Sequence, residues 1–421
     1  MFSNTQPMTW LTTSEPMQLE ERVLNTDWIL FNVQHSGYYR VNYDTENWYL
    51  LIDQLQQDHR KIHVLNRAQL IDDAFALAYD EHLSYAIALK LADYLPKETE
   101  MIPWYAAIKA FNRLRLKLHD SPNYEFFQSY LRNLAKNSIK IFKFRMSLTD
   151  YHIERIVKPQ FLMLACEMGI EDCIENSLNE YNSHKDNLVN VQPDLNDVVF
   201  CHALINSKDQ QTVFINLWNE YTKSKIPFEK TQILTALSCA SDEGVIRNIL
   251  TKMTNPNNKE IQKQDRSYFL TPLATRMSGI TAALRFAIGE TETINRMEDG
   301  ISFFKDLLRP MENNIRSQYQ VEQLKNLENA LNLLDENKYG EIISIIKHLQ
   351  STSASTINYN AQKLDRMQKE SSQSEADTKV IPSKPVQPSD QPSNSGAAIT
   401  IFNFKLQLVL VGVATYMLNN F

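Results

Sequence analysis

The residues from which this 421-residue chain could build catalysis are nine histidines, four cysteines and the paired carboxylates Asp72-Asp73. A helical metallopeptidase site needs two histidines one turn apart to face one metal, with a glutamate beside the first as general base, the HExxH pattern. No HExxH occurs. The closest spacing is His59 with His63, but Arg60 follows His59 where the base would stand, and a guanidinium accepts no proton and repels a cation. A polar helix face or linker is the better reading of that pair. Asp72 and Asp73, as neighbours on a helix, point about 100° apart. They are therefore read as a surface or interhelical hydrogen-bonding pair rather than an acid/base couple. Arg40 and Arg67 could hold a peptide carboxylate, but buried structural pairing explains each equally well, and neither is assigned a site. Cys166 and Cys173 on one unbroken helix would stand about 10.5 Å apart along its axis, beyond the roughly 7 Å limit for a disulfide. Gly169 removes the objection, because it can end one helix and let the next fold back.

The elements that must position these groups change type at Asp44. Trp28 to Val33 is a continuous apolar and β-branched run, Gln34-His35-Ser36-Gly37 supplies turn chemistry, and Tyr39, Val41 and Tyr43 alternate on one face. That pattern predicts a β-hairpin with at least one buried face. Beyond it Trp48, Leu51, Ile52 and Leu55 recur at helical spacing, and Val64, Ala68, Ile71, Phe75 and Ala78 make a stripe at steps of three and four. Further helices are expected near 84–94, 103–118, 123–134, 150–167, 170–181, 195–205, 210–222, 228–239 and 243–252. Pro96, Pro103, Pro227 and Pro256 fall at their boundaries, where a missing N–H does least harm. Helix pairs of this length stacked in series predict a mainly α fold, an α-solenoid of armadillo/HEAT-like hairpins.

Composition narrows the function classes. Hydrophobic residues at 43% suffice for a real core, and the length allows two or three domains. Nine glycines, about 2% against a usual 7%, exclude Gly-rich phosphate loops. A formal charge of −7 argues against a nucleic-acid partner. Basic positions such as Lys136, Lys140 and Lys143 are diluted by apolar ones and read as a solvated face.

The passage WILFNVQHSGYYRVNYDTENWYLLIDQL at 28–55 resembles the C-terminal region of the zinc aminopeptidases related to aminopeptidase N. The likeness continues through Leu65 to Phe75, Tyr85 to Leu89 and Glu100 to Trp104, fades, and returns around the cysteines and at Gln318 to Leu334, covering roughly residues 8–350. The resemblance implies a partial β-sandwich over 1–44 followed by a helical domain over 45–350, whose concave face closes over the family's zinc domain and shapes a chamber for peptides. It implies no catalytic or metal residue and no cofactor in this chain, because zinc, the substrate loop and the catalytic tyrosine belong to a domain with no counterpart here. It also implies two disulfides, one of Cys166 with Cys173 and one of Cys201 with Cys239, and hence folding in an oxidising compartment. Four buried thiols in a cytosolic protein is the competing reading.

Residues 351–396 lose periodicity and are rich in Ser, Gln and Pro, which predicts a disordered stalk. Residues 397–421 form a short hydrophobic end without a basic flank, the pattern of a glycosylphosphatidylinositol signal, with Asn394 or Ser395 as the attachment residue. A tail-anchored helix over 399–418 is the alternative, burdened by Asn403, Lys405 and Gln407. No Asn-x-Ser/Thr sequon occurs, which counts mildly against secretion. Met1 to Gln18 carries no signal-peptide pattern. The expectation is therefore the C-terminal part of a longer enzyme, lipid-anchored on the extracellular face of the plasma membrane if an upstream signal peptide exists, and inactive alone. Its expected partners are peptide substrates, met through the zinc domain, and the membrane, with no nucleic acid. A homodimer is one state considered, and a short membrane-anchored helical binding module is the second function class.

Overall fold

The computed structural model describes residues 26–118, 124–147, 149–258 and 260–378, with side chains as far as Ser353 except at Glu336. The chain divides into two compact units at Ala110/Phe111, the second running to Leu364. No β-strand occurs among the described residues.

In the first unit the expected hairpin is replaced by an extended segment lying on helices. Asn32, Gln34 and His35 take left-handed φ of 55°, which no strand can continue through. The backbone groups that a ladder would pair are taken by side chains instead. Asn47 binds Ile29 through both N–H and C=O (2.7 and 2.9 Å), and the Tyr43 hydroxyl accepts from Phe31 N (2.9 Å). Asn66 accepts from Gln34 N (2.9 Å), Gln69 donates to Phe31 O (3.3 Å), and Asp73 accepts from Val41 N (3.1 Å). Asn66, Gln69 and Asp73 share one helix face at steps of three and four, so one helix takes up Gln34 N, Phe31 O and Val41 N, while Asn47 on the helix before it holds Ile29. The predicted alternation at Tyr39, Val41 and Tyr43 therefore reports burial of Val41 and Tyr43, not pairing with a strand.

Helix α1 (Thr45–Asp58) starts where the Asp44 carboxylate accepts from Asn47 N, and it buries Trp48, Leu51, Ile52 and Leu55. Helices α2 (Val64–Tyr79) and α3 (Tyr85–Ala92) follow, with α3 packed on both α1 and α2. Helix α4 (Met101–Leu118) leads out of the unit.

The second unit is a series of hairpins: α5 (Tyr124–Phe142), α6 (His152–Glu167), α7 (Glu171–His184), α8 (Asn196–Asn206), α9 (Gln210–Lys223), α10 (Pro227–Leu237), α11 (Glu243–Thr254), α12 (Ser267–Leu273), α13 (Met277–Gly289), α14 (Thr291–Asn295), α15 (Gly300–Leu308) and α16 (Gln318–Thr378). Sequence neighbours pack on one another from α5 through α10 and again from α13 to α15, and a second rank of contacts links α6 to α8, α8 to α10, α10 to α12 and α11 to α13. That double rank is the α-solenoid predicted from the spacing. Helix α16 breaks at Asp335, whose carboxylate accepts from Lys338 N and restarts the helix (3.0 Å). It extends to Thr378, into the segment read from sequence as a structureless stalk; residues 379–421, including Asn394, Ser395 and the hydrophobic end, lie outside the described residues.

Candidate functional site

The residues singled out in the first unit serve its framework. The Arg40 guanidinium donates to Asp72 (2.6 Å) and Asp73 (3.1 Å). Burial pushes the Asp73 carboxyl above the usual carboxylate range, although Val41 N–H, Arg40 and Gln69 pull the other way. Arg67 grips Glu98 with two bonds of 2.7 and 2.9 Å and donates to Ile62 O (2.8 Å), and the Tyr94 hydroxyl bonds the same carboxylate (3.2 Å). Structural pairing is thus the role of both arginines.

His59 and His63 do not share a helix face. A 3-10 turn at His59–Lys61 ends in extended Ile62, so the i, i+4 geometry never forms. His59 is buried beside Tyr94 with Nε2 4.0 Å from Glu98, while His63 Nδ1 accepts from Leu65 N at the start of α2 (3.3 Å). Burial pulls the His59 pKa down against the pull of Glu98. Among the described residues no three His, Cys, Asp or Glu side chains come together as metal ligands. The donor set present does not fit a zinc ion of the kind the resemblance implies.

Both expected disulfides are formed, Cys166–Cys173 with Cα atoms 5.2 Å apart and Cys201–Cys239 with 5.3 Å. The first depends on Gly169, whose φ of +80° closes α6 while Gly169 N donates to Cys166 O and Ile170 N to Ala165 O. That Schellman arrangement reverses the chain within two residues and returns Cys173 to Cys166. The second bridge ties α8 to the residues just past α10.

Beside that second bridge lies a cavity of about 410 Å³, lined among others by Arg115, Cys239, Ser241, Arg276 and Arg316. Its walls are helix ends: the last turns of α4 and α8, the residues just past α10 and α12, the first residues of α13, and the residues just before α16. Most of these are C-terminal ends, whose unpaired carbonyls favour cations. Glu167, the last residue of α6, pairs with Arg115 (3.3 Å) and Arg276 (3.1 Å). Two guanidiniums thus offset one carboxylate, leaving the cluster net positive. Arg276 also reaches both bridge sulfurs, at 3.3 Å from Cys239 Sγ and 3.6 Å from Cys201 Sγ. Burial pulls the Arg276 pKa down against Glu167. His202 on α8 is buried, and desolvation pushes its pKa down to about 4, so the ring is neutral at pH 7. Sequence reasoning found only the cysteine of this cluster, because Arg115, Glu167, Arg276 and Arg316 come from four segments with no local pattern joining them.

The ERAP1-like C-terminal domain family matches residues 28–344. The chain is 30% identical over 370 residues to an aminopeptidase N of Plutella xylostella, covering 86% of this chain and 38% of that protein. It is 28% identical over 323 residues to aminopeptidase N of Rattus norvegicus, covering 75% and 33%. It is 30% identical over 312 residues to the thyrotropin-releasing hormone-degrading ectoenzyme of Mus musculus, covering 71% and 28%. The chain spans about a third of the length of these relatives.

Proposed function

This chain belongs to the ERAP1-like C-terminal domain family, and from that premise we propose that it is the C-terminal part of a membrane-anchored zinc aminopeptidase, one that removes N-terminal residues from peptides. The observation that carries the reading is the family match over residues 28–344, three quarters of the chain, joined to relatives named aminopeptidase N. In this reading the helical domain is non-catalytic by itself. Zinc, its ligands and the pocket for the first side chain of the peptide belong to the family's catalytic domain, and the solenoid helps to enclose the peptide. The disulfides suit an oxidising, extracellular setting, and one relative is by its name an ectoenzyme.

Anchoring is assigned to the C-terminal end, with Asn394 or Ser395 as the lipid attachment residue. No helix among the described residues is long and apolar enough to cross a membrane, and residues 397–421 are not among them. The second reading, a short non-catalytic membrane-anchored binding module, draws on the arginine-lined cavity, a concave site that no part of the zinc chemistry needs. Full-length sequencing of the natural transcript separates the two. An open frame upstream of Met1 that encodes a signal peptide and HExxH supports the aminopeptidase reading; a frame that starts at Met1 removes the catalytic assignment and favours the binding module.

A further inference from the structure

We propose that the lysine row at the C-terminal end of α5, Lys136, Lys140 and Lys143, is a docking surface for a linear sulfated polysaccharide. Residues 126–149 hold five cations, Arg132, Lys136, Lys140, Lys143 and Arg145, and no carboxylate, in a chain whose formal charge is −7. The fold employs two of the five: Arg132 donates to Met168 O at the end of α6 (2.9 Å), and Arg145 faces Glu180 (3.5 Å). Asp150, the first carboxylate after the run, is held by Lys158 (2.6 Å). Lys136, Lys140 and Lys143 are exposed and, among the described residues, make no hydrogen bond or ion pair through their side chains. The helix dipole accounts for Lys140, in the last turn, but not for Lys136 a turn earlier. Lys143 takes a left-handed φ of 55° while its N–H donates to Ile139 O, a helix end at which folding favours glycine or asparagine. Packing and capping therefore leave the row unexplained.

The chemistry of the face selects among polyanions. Lys136 and Lys140 stand one turn apart, about 6 Å along the axis, and exposed Asn133 and Asn137 share their side of the helix. Ammonium groups in a row attract successive sulfates of a chain, and carboxamides both donate to and accept from sugar hydroxyls. Docking on a lipid surface would need an apolar face free to insert. The apolar face of α5, from Phe127 to Phe142, is buried in the domain, which leaves only Phe126 and Ile141 exposed, at opposite ends of the helix. The choice of a glycan over a nucleic acid rests on the extracellular setting proposed above. The row itself takes no part in zinc chemistry, so polysaccharide binding and peptidase activity stand or fall separately.

The test titrates the full chain with a size-fractionated heparin oligosaccharide, and separately with chemically desulfated heparin, by calorimetry at neutral pH. With three lysines engaged, affinity for heparin should fall about twentyfold between about 50 and 200 mM salt. The triple variant Lys136→Gln, Lys140→Gln, Lys143→Gln should lose about tenfold or more at the lower salt and flatten that salt dependence. Arginine at the same three positions should retain binding. A control triple, Lys208→Gln, Lys223→Gln, Lys225→Gln, removes the same charge from exposed lysines around α9 and should stay within about twofold of the parent. Should the first triple fail to fold by circular dichroism, Lys136→Gln with Lys140→Gln, both inside the regular helix, carries the test. No heparin binding at the lower salt, equal binding of desulfated heparin, an equal loss in the control triple, or tighter binding of phosphatidylserine vesicles or single-stranded RNA through the same lysines overturns the proposal.

Discussion

Replacing Arg67 by methionine would strip the Glu98 carboxylate of its cation at a fully buried site. The Glu98 side chain is 0% exposed and that of Arg67 6%. The carboxylate accepts from Arg67 Nε and Nη2, from the Tyr94 hydroxyl, and from the N–H groups of Thr99 and Glu100 that lead into α4. The backbone donors would survive the substitution, but they carry only partial charge. Removing one partner of a buried ion pair costs about 3–5 kcal/mol, because the remaining charge is left uncompensated. Arg67 also donates to Ile62 O, so α2 loses its hold on the chain between α1 and α2 in the same step. Hydrogen exchange read by mass spectrometry measures the effect locally: the slow amides of α2 should exchange about a hundredfold faster or more. The double variant Arg67→Met with Glu98→Gln removes the orphaned charge and should recover about 2 kcal/mol of that loss. A single-variant loss below about 1 kcal/mol, or a double variant no better than the single, would refute the reasoning that this pair is a buried, mutually dependent unit.

Three further outcomes follow from other parts of the fold. The His202 pKa is pushed down to about 4, below its unfolded value, so the stability of the second unit should be complete above about pH 6.5 and fall as the pH drops toward 4. The loss is on the order of 3 kcal/mol, and urea titrations of His202→Gln should show that acid limb flattened. Removing the Cys201–Cys239 bridge, which spans 38 residues, should cost about 4 kcal/mol against about 2 for Cys166–Cys173, which spans 7, measured by thermal melts of the paired Cys→Ala variants. Gly169→Ala forces a side chain into φ of +80° and should cost about 1–2 kcal/mol, detectable in the same melts and accompanied by slower closure of the Cys166–Cys173 bridge on oxidative refolding.

What could be read from the sequence was what repeats locally. The stripes at Trp48–Leu55 and Val64–Ala78 gave α1 and α2 because Trp48, Leu51, Ile52 and Leu55 in the one, and Ile71, Phe75 and Ala78 in the other, are buried at helical spacing. Gly169 showed where α6 had to end because few residue types tolerate its φ. The hairpin prediction failed for an equally physical reason. Alternation records which side chains are buried, not what the backbone pairs with, and here the partners are Asn47, Asn66, Gln69 and Asp73 on two helices. The short helices α12 and α14 were not legible individually: seven residues with an internal Pro272, and five residues, are too few to show a period. The cavity was illegible altogether, since Glu167 and Arg276 are 109 residues apart and meet only because successive hairpins stack their ends together.

The most direct test of the central claim, a helical domain whose family's chemistry is housed elsewhere, is a joint assay of metal and activity on the purified chain. Zinc content by elemental analysis and hydrolysis of an aminoacyl reporter should be measured with and without chelator. The account predicts no stoichiometric zinc and no chelator-sensitive hydrolysis; appreciable chelator-sensitive release of the reporter would contradict it.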